Sequence, residues 1–148
     1  MTIEPSAPQT YSPPPPLSPS DERSWAMIAH LSVLVNLISG FFGPIAALVI
    51  YMIYKDRSRY VAFHAMQSFV FQLVWWVGGG ILAGITWAIG GALTAVVIGL
   101  LCLPIACVFS FMPMVALIYG IIGGIQTNQG QDFKYWLIGD WVRSNLVK

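Results

Sequence analysis

Charge is what this chain lacks. No Asp, Glu, Lys or Arg occurs from Tyr60 to Gln131, a run of 72 residues, nor from Ser24 to Tyr54, a further 31. A soluble domain needs charged side chains along its length to face water, and only 9% of this chain is charged. Ordinary domains carry about 25%. An unpaired ionised side chain in hydrocarbon costs roughly 2.5–3.5 kcal/mol on insertion scales. Both runs therefore read as bilayer segments, and a globular soluble fold is excluded. The net charge is only +1, so no nucleic-acid footprint is present. Cysteine is scarce too. Cys102 and Cys107 are not spaced as CxxC and have no histidine cluster around them, so they read as small buried hydrophobes without a metal or redox role. Catalytic patterns are missing: there is no acid pair within the apolar runs, no HExxH and no P-loop. His64 and Ser68 are helical neighbours, but nothing orients the imidazole or stabilises an oxyanion. The expectation is a protein that is not an enzyme and carries no cofactor or metal.

Proline, by contrast, is concentrated. Seven of the ten prolines lie in residues 1–22, at positions 5, 8, 13, 14, 15, 16 and 19. That density blocks helix and sheet, so this stretch is expected to be a disordered tail with polyproline II character. It does not resemble a cleaved signal peptide, and the first apolar segment is expected to insert and stay. Ser20, Asp21 and Ser24 offer N-cap oxygens for a helix beginning near Arg23. The first apolar run is too long for one span. Its 31 residues would make roughly 46 Å of helix against a hydrocarbon core of about 30 Å. Gly40, Gly43 and Pro44 stand in its middle, which favours a hairpin over one kinked helix.

Lys55, Asp56, Arg57 and Arg59 form the only internal charge cluster, and the positive-inside rule makes it cytoplasmic. The tail after Gln131, with Lys134, Arg143 and Lys148, reads the same way. An even number of crossings must lie between the two clusters. Two helices with a turn near Gly90-Gly91 satisfy this, the second kinked by Pro104 and Pro113. The expected fold is an all-α integral membrane protein, a bundle of three to four transmembrane or half-membrane helices with a disordered Pro-rich N-terminal tail. The membrane domain covers residues 23–126, with helices at about 24–39, 43–55, 61–89 and 93–126. Residues 127–148 form a cytoplasmic or interfacial tail in which Tyr135, Trp136 and Trp141 favour the membrane surface and Gly139 breaks any helix.

Helices in lipid associate through small residues and hydrogen bonds. Ala116, Gly120 and Gly124 form one small-residue row and Gly80 with Gly84 another, and both are expected to pack against neighbouring helices. Asn36 belongs to a small, polar seam with Trp25, Ser32, Ser39 and Gly43, spread over about 60° of the first helix. His64, Gln67, Ser68 and Gln72 cover roughly 140° of the next long helix and hold the densest set of hydrogen-bonding groups. An unpaired amide in hydrocarbon is costly, so this face is expected to point inward, together with Asn36 and His30. It reads first as a structural collar and second as a polar path.

Several short marks occur in order. They are Trp25, Ala29 and His30; Gly43 and Pro44; Lys55 to Arg59; and Phe63, His64, Ala65, Gln67 and Gln72. In this pattern the chain resembles the bacterial Tic-twenty-like family of small membrane proteins over residues 23–137. That is a domain family of unknown function, remotely related to a chloroplast protein-import component. The resemblance implies a membrane scaffold or accessory subunit in the bacterial cytoplasmic membrane, in protein insertion or transport. Its partners would be the lipid bilayer and other membrane proteins, or copies of itself as a homo-oligomer. The alternative reading is a small oligomeric channel or transporter built on the polar face.

Overall fold

A computed structural model describes residues 14–147. Helix dominates it, and among these residues there is no strand. The described residues form five helical bodies. Helix α1 covers residues 19–39 as a continuous rod, α-helical over Pro19–Leu31 and Asn36–Ser39 with a 3-10 turn at Ser32–Val35. Helix α2 is Phe42–Tyr54. Helix α3 runs Arg59–Val96 and α4 runs Gly99–Asn128; both are long and apolar enough to cross a membrane. Helix α5, Ile138–Asn145, is short and amphipathic. The disordered tail expected over residues 1–22 lies mostly outside the described residues.

Helix α1 starts earlier than the cap residues suggested. Ser18 is the N-cap and its Oγ accepts the Asp21 N–H at 3.2 Å. Pro19 fits the first turn because its missing N–H would have no partner there, and Asp21 and Glu22 complement the positive helix end. The rod stops at Gly40, where φ is +81°, a left-handed conformation that disfavours any side chain. Pro44 then falls in the first turn of α2, where it is tolerated. The first apolar run is thus a helical hairpin.

The second apolar run is also a hairpin, α3 against α4, but its turn lies beyond Gly90-Gly91. Helix α3 continues through a 3-10 turn at Thr94–Val96, and the reversal falls at Val97, with φ +64°. Gly90 is used differently: the built Cβ of Gly99 meets the Gly90 carbonyl, so the two glycines are where α3 and α4 touch backbone to backbone. Helix α4 is interrupted at Phe111, two residues before Pro113, which cannot donate to the preceding turn. Pro104 remains inside its helix. Helix α3 carries a π-helical stretch at Leu73–Gly78, level with the tip of the first hairpin, where the Trp76 indole donates to the Gly40 carbonyl.

Two regions result. In the basal region α1 packs on the start of α3 and the end of α4, α2 packs on α3, and α5 closes over α3. The distal region is the α3–α4 hairpin alone, Gly79–Leu93 against Gly99–Ser110. Both charge clusters and the start of α1 lie at the basal end. Ser58 caps α3 and donates to Glu22, while Arg57 reaches the Pro15 carbonyl at 3.2 Å.

Candidate functional site

The interior of the basal region is polar. His30, His64, Gln67 and Ser68 are wholly buried, and Gln72, Asn36 and Ser32 nearly so. They come from α1 and α3 and meet in two linked arms. In the deeper arm the Ala29 carbonyl accepts from both Ser32 and Ser68 at 2.8 Å. Gln72 Nε2 donates to Ser32 at 2.9 Å and Ser68 at 3.0 Å. Asn36 Nδ2 donates to Gln72 Oε1 at 3.2 Å, and Asn36 Oδ1 accepts the Gly43 N–H at 2.7 Å. This last bond caps α2 from α1. A Cβ on Gly43 would lie 2.7 Å from both polar atoms of the Asn36 amide, so only glycine fits. Asn36 thus bonds both to Gln72 and to the Gly43 break.

The second arm ties in the C-terminal segment. Tyr135 Oη lies 2.8 Å from His30 Nδ1, and His30 Nε2 lies 3.0 Å from His64 Nδ1. Gln67 Nε2 contacts His64 Nδ1 at 2.9 Å and the Phe133 carbonyl at 2.9 Å, while Gln67 Oε1 accepts the Tyr135 N–H at 3.3 Å. The two backbone bonds fix which end of the Gln67 amide is oxygen. His64 Nδ1 must then accept, His30 Nε2 must donate to it, and His30 Nδ1 must accept the Tyr135 hydroxyl proton. The donors point one way, from Tyr135 through His30 to His64, and both rings are neutral. His64 carries its proton on Nε2. That is the one buried side-chain nitrogen or oxygen without a hydrogen-bond partner among the described residues.

Phe133 and Tyr135 were not foreseen as interior residues. Tyr135 is fully buried, its ring stacks 3.9 Å from that of Phe71 at 5°, and its hydroxyl is driven well above the ordinary range by burial. Residues 131–135 lie outside any helix, and Phe133 and Tyr135 both enter the bundle against the His30 ring. The tail is therefore part of the bundle, and Gly139 lies buried inside α5 without breaking it. Trp136 and Trp141 remain exposed.

The two small-residue rows behave differently. Gly120 and Gly124 face α1: a Cβ on Gly120 would meet Val33 Cγ1 at 2.5 Å and the His30 carbonyl at 3.1 Å. Ala116 is buried beside Val33 and Phe71. Gly80 and Gly84 face away from the chain, with nothing within 4 Å of a built Cβ. Among the described residues nothing packs on them, because they lie past the end of the first hairpin. Cys107 is likewise exposed, and Cys102 is half-buried against Gly90.

Beside the first turn of α3 the basal surface opens into a cavity of about 280 Å³ lined by Arg59, Tyr60, Phe63, Asp132, Arg143 and Val147. Arg143 pairs with both Asp132 oxygens and lies 4.0 Å over the Phe63 ring. The Arg143 hydrogen bond holds the Asp132 carboxyl below its ordinary value, and the pairing raises the Arg143 guanidinium. Among the described residues no three His, Cys, Asp or Glu side chains are grouped to hold a metal ion. The arrangement has no nucleophile beside a base; chemically it braces helices and presents one unused donor.

The chain belongs to the MamF/MmsF family, described as the magnetosome magnetite crystal formation protein family, whose model matches residues 21–142. No curated protein and no solved structure matches it. The family match overturns the Tic-twenty-like assignment and the protein-insertion role that came with it. The marks behind that resemblance include His30, Gly43, His64, Gln67 and Gln72, which are the buried, bonded members of the network. In the structure they hold the two helical hairpins together.

Proposed function

We propose that the chain is an integral membrane protein of the magnetosome that serves magnetite crystal formation as a scaffold or accessory subunit, with no catalysis of its own. The observation that carries the role is the family match, which covers both hairpins and reaches α5. The surface supports the membrane placement. The distal hairpin exposes Ile81, Leu82, Ile85, Leu101, Ile105 and Val108, and water would not tolerate so large an uncovered apolar face. Helix α2 exposes Ile45, Val49, Met52 and Ile53 as well. The polar groups bond to one another inside the basal region, which suits a rigid membrane platform better than a conducting path. The partners are the bilayer and, through the distal face, other membrane proteins or further copies of the chain.

Two measurements test this reading. The protein is expected in carbonate-washed magnetosome membranes, and its deletion is expected to change crystal size or number by electron microscopy. Recovery in the carbonate supernatant, or unchanged crystals, would sink it. For topology, Arg57→Cys and Ser144→Cys are expected to react with an impermeant thiol reagent from the same side, the cytoplasmic one. Reaction from opposite sides would rule out the paired hairpins.

A further inference from the structure

The basal cavity lies between the first turn of α3 and the C-terminal segment, and the network leaves it unused. Its polar lining is a surplus of donors. Asp132 is the one carboxylate on its wall, and Arg143 already occupies both of its oxygens. The Tyr60 hydroxyl is turned to the Thr127 and Gln131 carbonyls, 3.1 Å from each. Arg59 is exposed and forms no ion pair among the described residues. Behind the wall stands His64 with its unpartnered Nε2–H. Its ring is 4.4 Å from that of Tyr60 and 5.1 Å from that of Phe63. Tyr60 and Phe63 of that lining thus pack directly on the ring that carries the orphan donor. A ligand here must bring acceptors and negative charge.

The rest of the lining narrows the ligand. Phe63, Val147 and the Tyr60 ring are apolar, which a free inorganic anion cannot use. Trp141 on the adjoining α5 and Leu146 just after it are exposed, as interfacial side chains are. We propose that this cavity holds the headgroup of one anionic phospholipid, with Arg59 as its charged anchor and Phe63 and Val147 along its glycerol and upper acyl carbons. The site rests on the membrane placement above and fixes the basal rim at the headgroup level.

The test uses the full chain in nanodiscs of phosphatidylcholine doped with phosphatidylglycerol, with retained lipid read by native mass spectrometry. Wild type is expected to retain one phosphatidylglycerol in preference to phosphatidylcholine. Arg59→Gln removes one charge-assisted bond, which corresponds to about a tenfold loss of that preference. Lys55→Gln, an equal charge loss on the same loop but off the cavity, is expected to leave it within about twofold. The ring nitrogen signals of His64 are expected to shift when phosphatidylglycerol binds. Equal losses in the two variants would reduce the effect to general surface charge and overturn the site. So would an unmoved His64, or inorganic phosphate competing as well as the lipid. A chain that stays in carbonate-washed membranes but shows no anionic preference overturns the site alone; a chain washed off overturns the membrane reading first.

Discussion

The basal region and the distal hairpin share the long helices α3 and α4, yet they are held in different ways. In the basal region, side chains bond across the sequence: His30 to Tyr135, Asn36 to Gln72, Gln67 to Phe133. In the distal hairpin, Thr86 and Thr94 bond only to carbonyls of their own helix, at Leu82, Ala83 and Gly91. One side-chain bond crosses it, Trp87 to Ser110 at 3.0 Å. Otherwise its helices meet at small residues, Gly90 with Gly99 and Gly79 with Met112. Where lipid surrounds helices, further apolar burial gains little, so cohesion comes from bonds or from close contact. The basal region uses both and the distal hairpin mainly the second.

The largest expected effect comes from adding a side chain to each region. Gly120→Leu drives its Cβ into Val33 and the His30 backbone, and overpacking costs about 1–3 kcal/mol or more. Gly84→Leu meets nothing and should leave the detergent melting temperature of the monomer unchanged. Equal damage from both would mean that the distal face also packs, against a neighbour supplied by another chain. Next is Gln67→Leu. It strips partners from the Phe133 carbonyl and the Tyr135 N–H, and each buried group left unpaired costs about 1–3 kcal/mol. Thr86→Val in the distal hairpin should stay within about 0.5 kcal/mol. If the two substitutions cost the same, the contrast between the regions fails.

Tyr135→Phe is smaller, about 1 kcal/mol, because it removes one hydroxyl and leaves the stacked ring. Its particular signature is release of the C-terminal segment, seen as faster protease cleavage after Lys134 while the α3–α4 hairpin stays intact. The smallest effect is electrostatic. Asp132 has a folded value lowered by Arg143 from an ordinary 3.8. The pair therefore stabilises above pH 3.8, and the contribution is lost as pH falls through the lower folded value. Exposure and salt keep it below about 1 kcal/mol. Melts between pH 3 and 6 at low salt should show a shallow acid decline that Arg143→Gln removes.

Much of this contrast was legible in the residues. Gly40 and Pro44 marked the first hairpin, and the two charge clusters gave the parity of the second. The Ala116 row could be read as a contact because small residues recur at helical spacing. The same pattern misled at Gly80 and Gly84, since periodicity shows that residues share a face and not whether anything stands opposite. The turn at Val97 was hidden because a non-glycine residue takes the positive φ while Gly90 serves close approach. Phe133 and Tyr135 escaped because aromatic side chains in a charged tail read as interfacial, whereas their partners Gln67, His30 and Phe71 are distant in sequence. The π-helical stretch has no local signal; it forms where the first hairpin ends.

That stretch has a consequence for register. A π turn acts as one residue inserted into an α-helix, so everything beyond Leu73–Gly78 is rotated by about 100° relative to an unbroken helix. The rotation acts as a gear between the two halves of α3, and it decides which stripe of the distal half turns toward Met112 and which turns outward. Substitutions keep that setting, whereas deleting a single residue between 73 and 78 would turn the distal half of α3 by one notch. Gly79 would then leave Met112, and the outward Gly80–Gly84 stripe would exchange places with its neighbours. The identity of the distal surface is thus written in a residue count at the centre of the helix, as well as in the residues that form it.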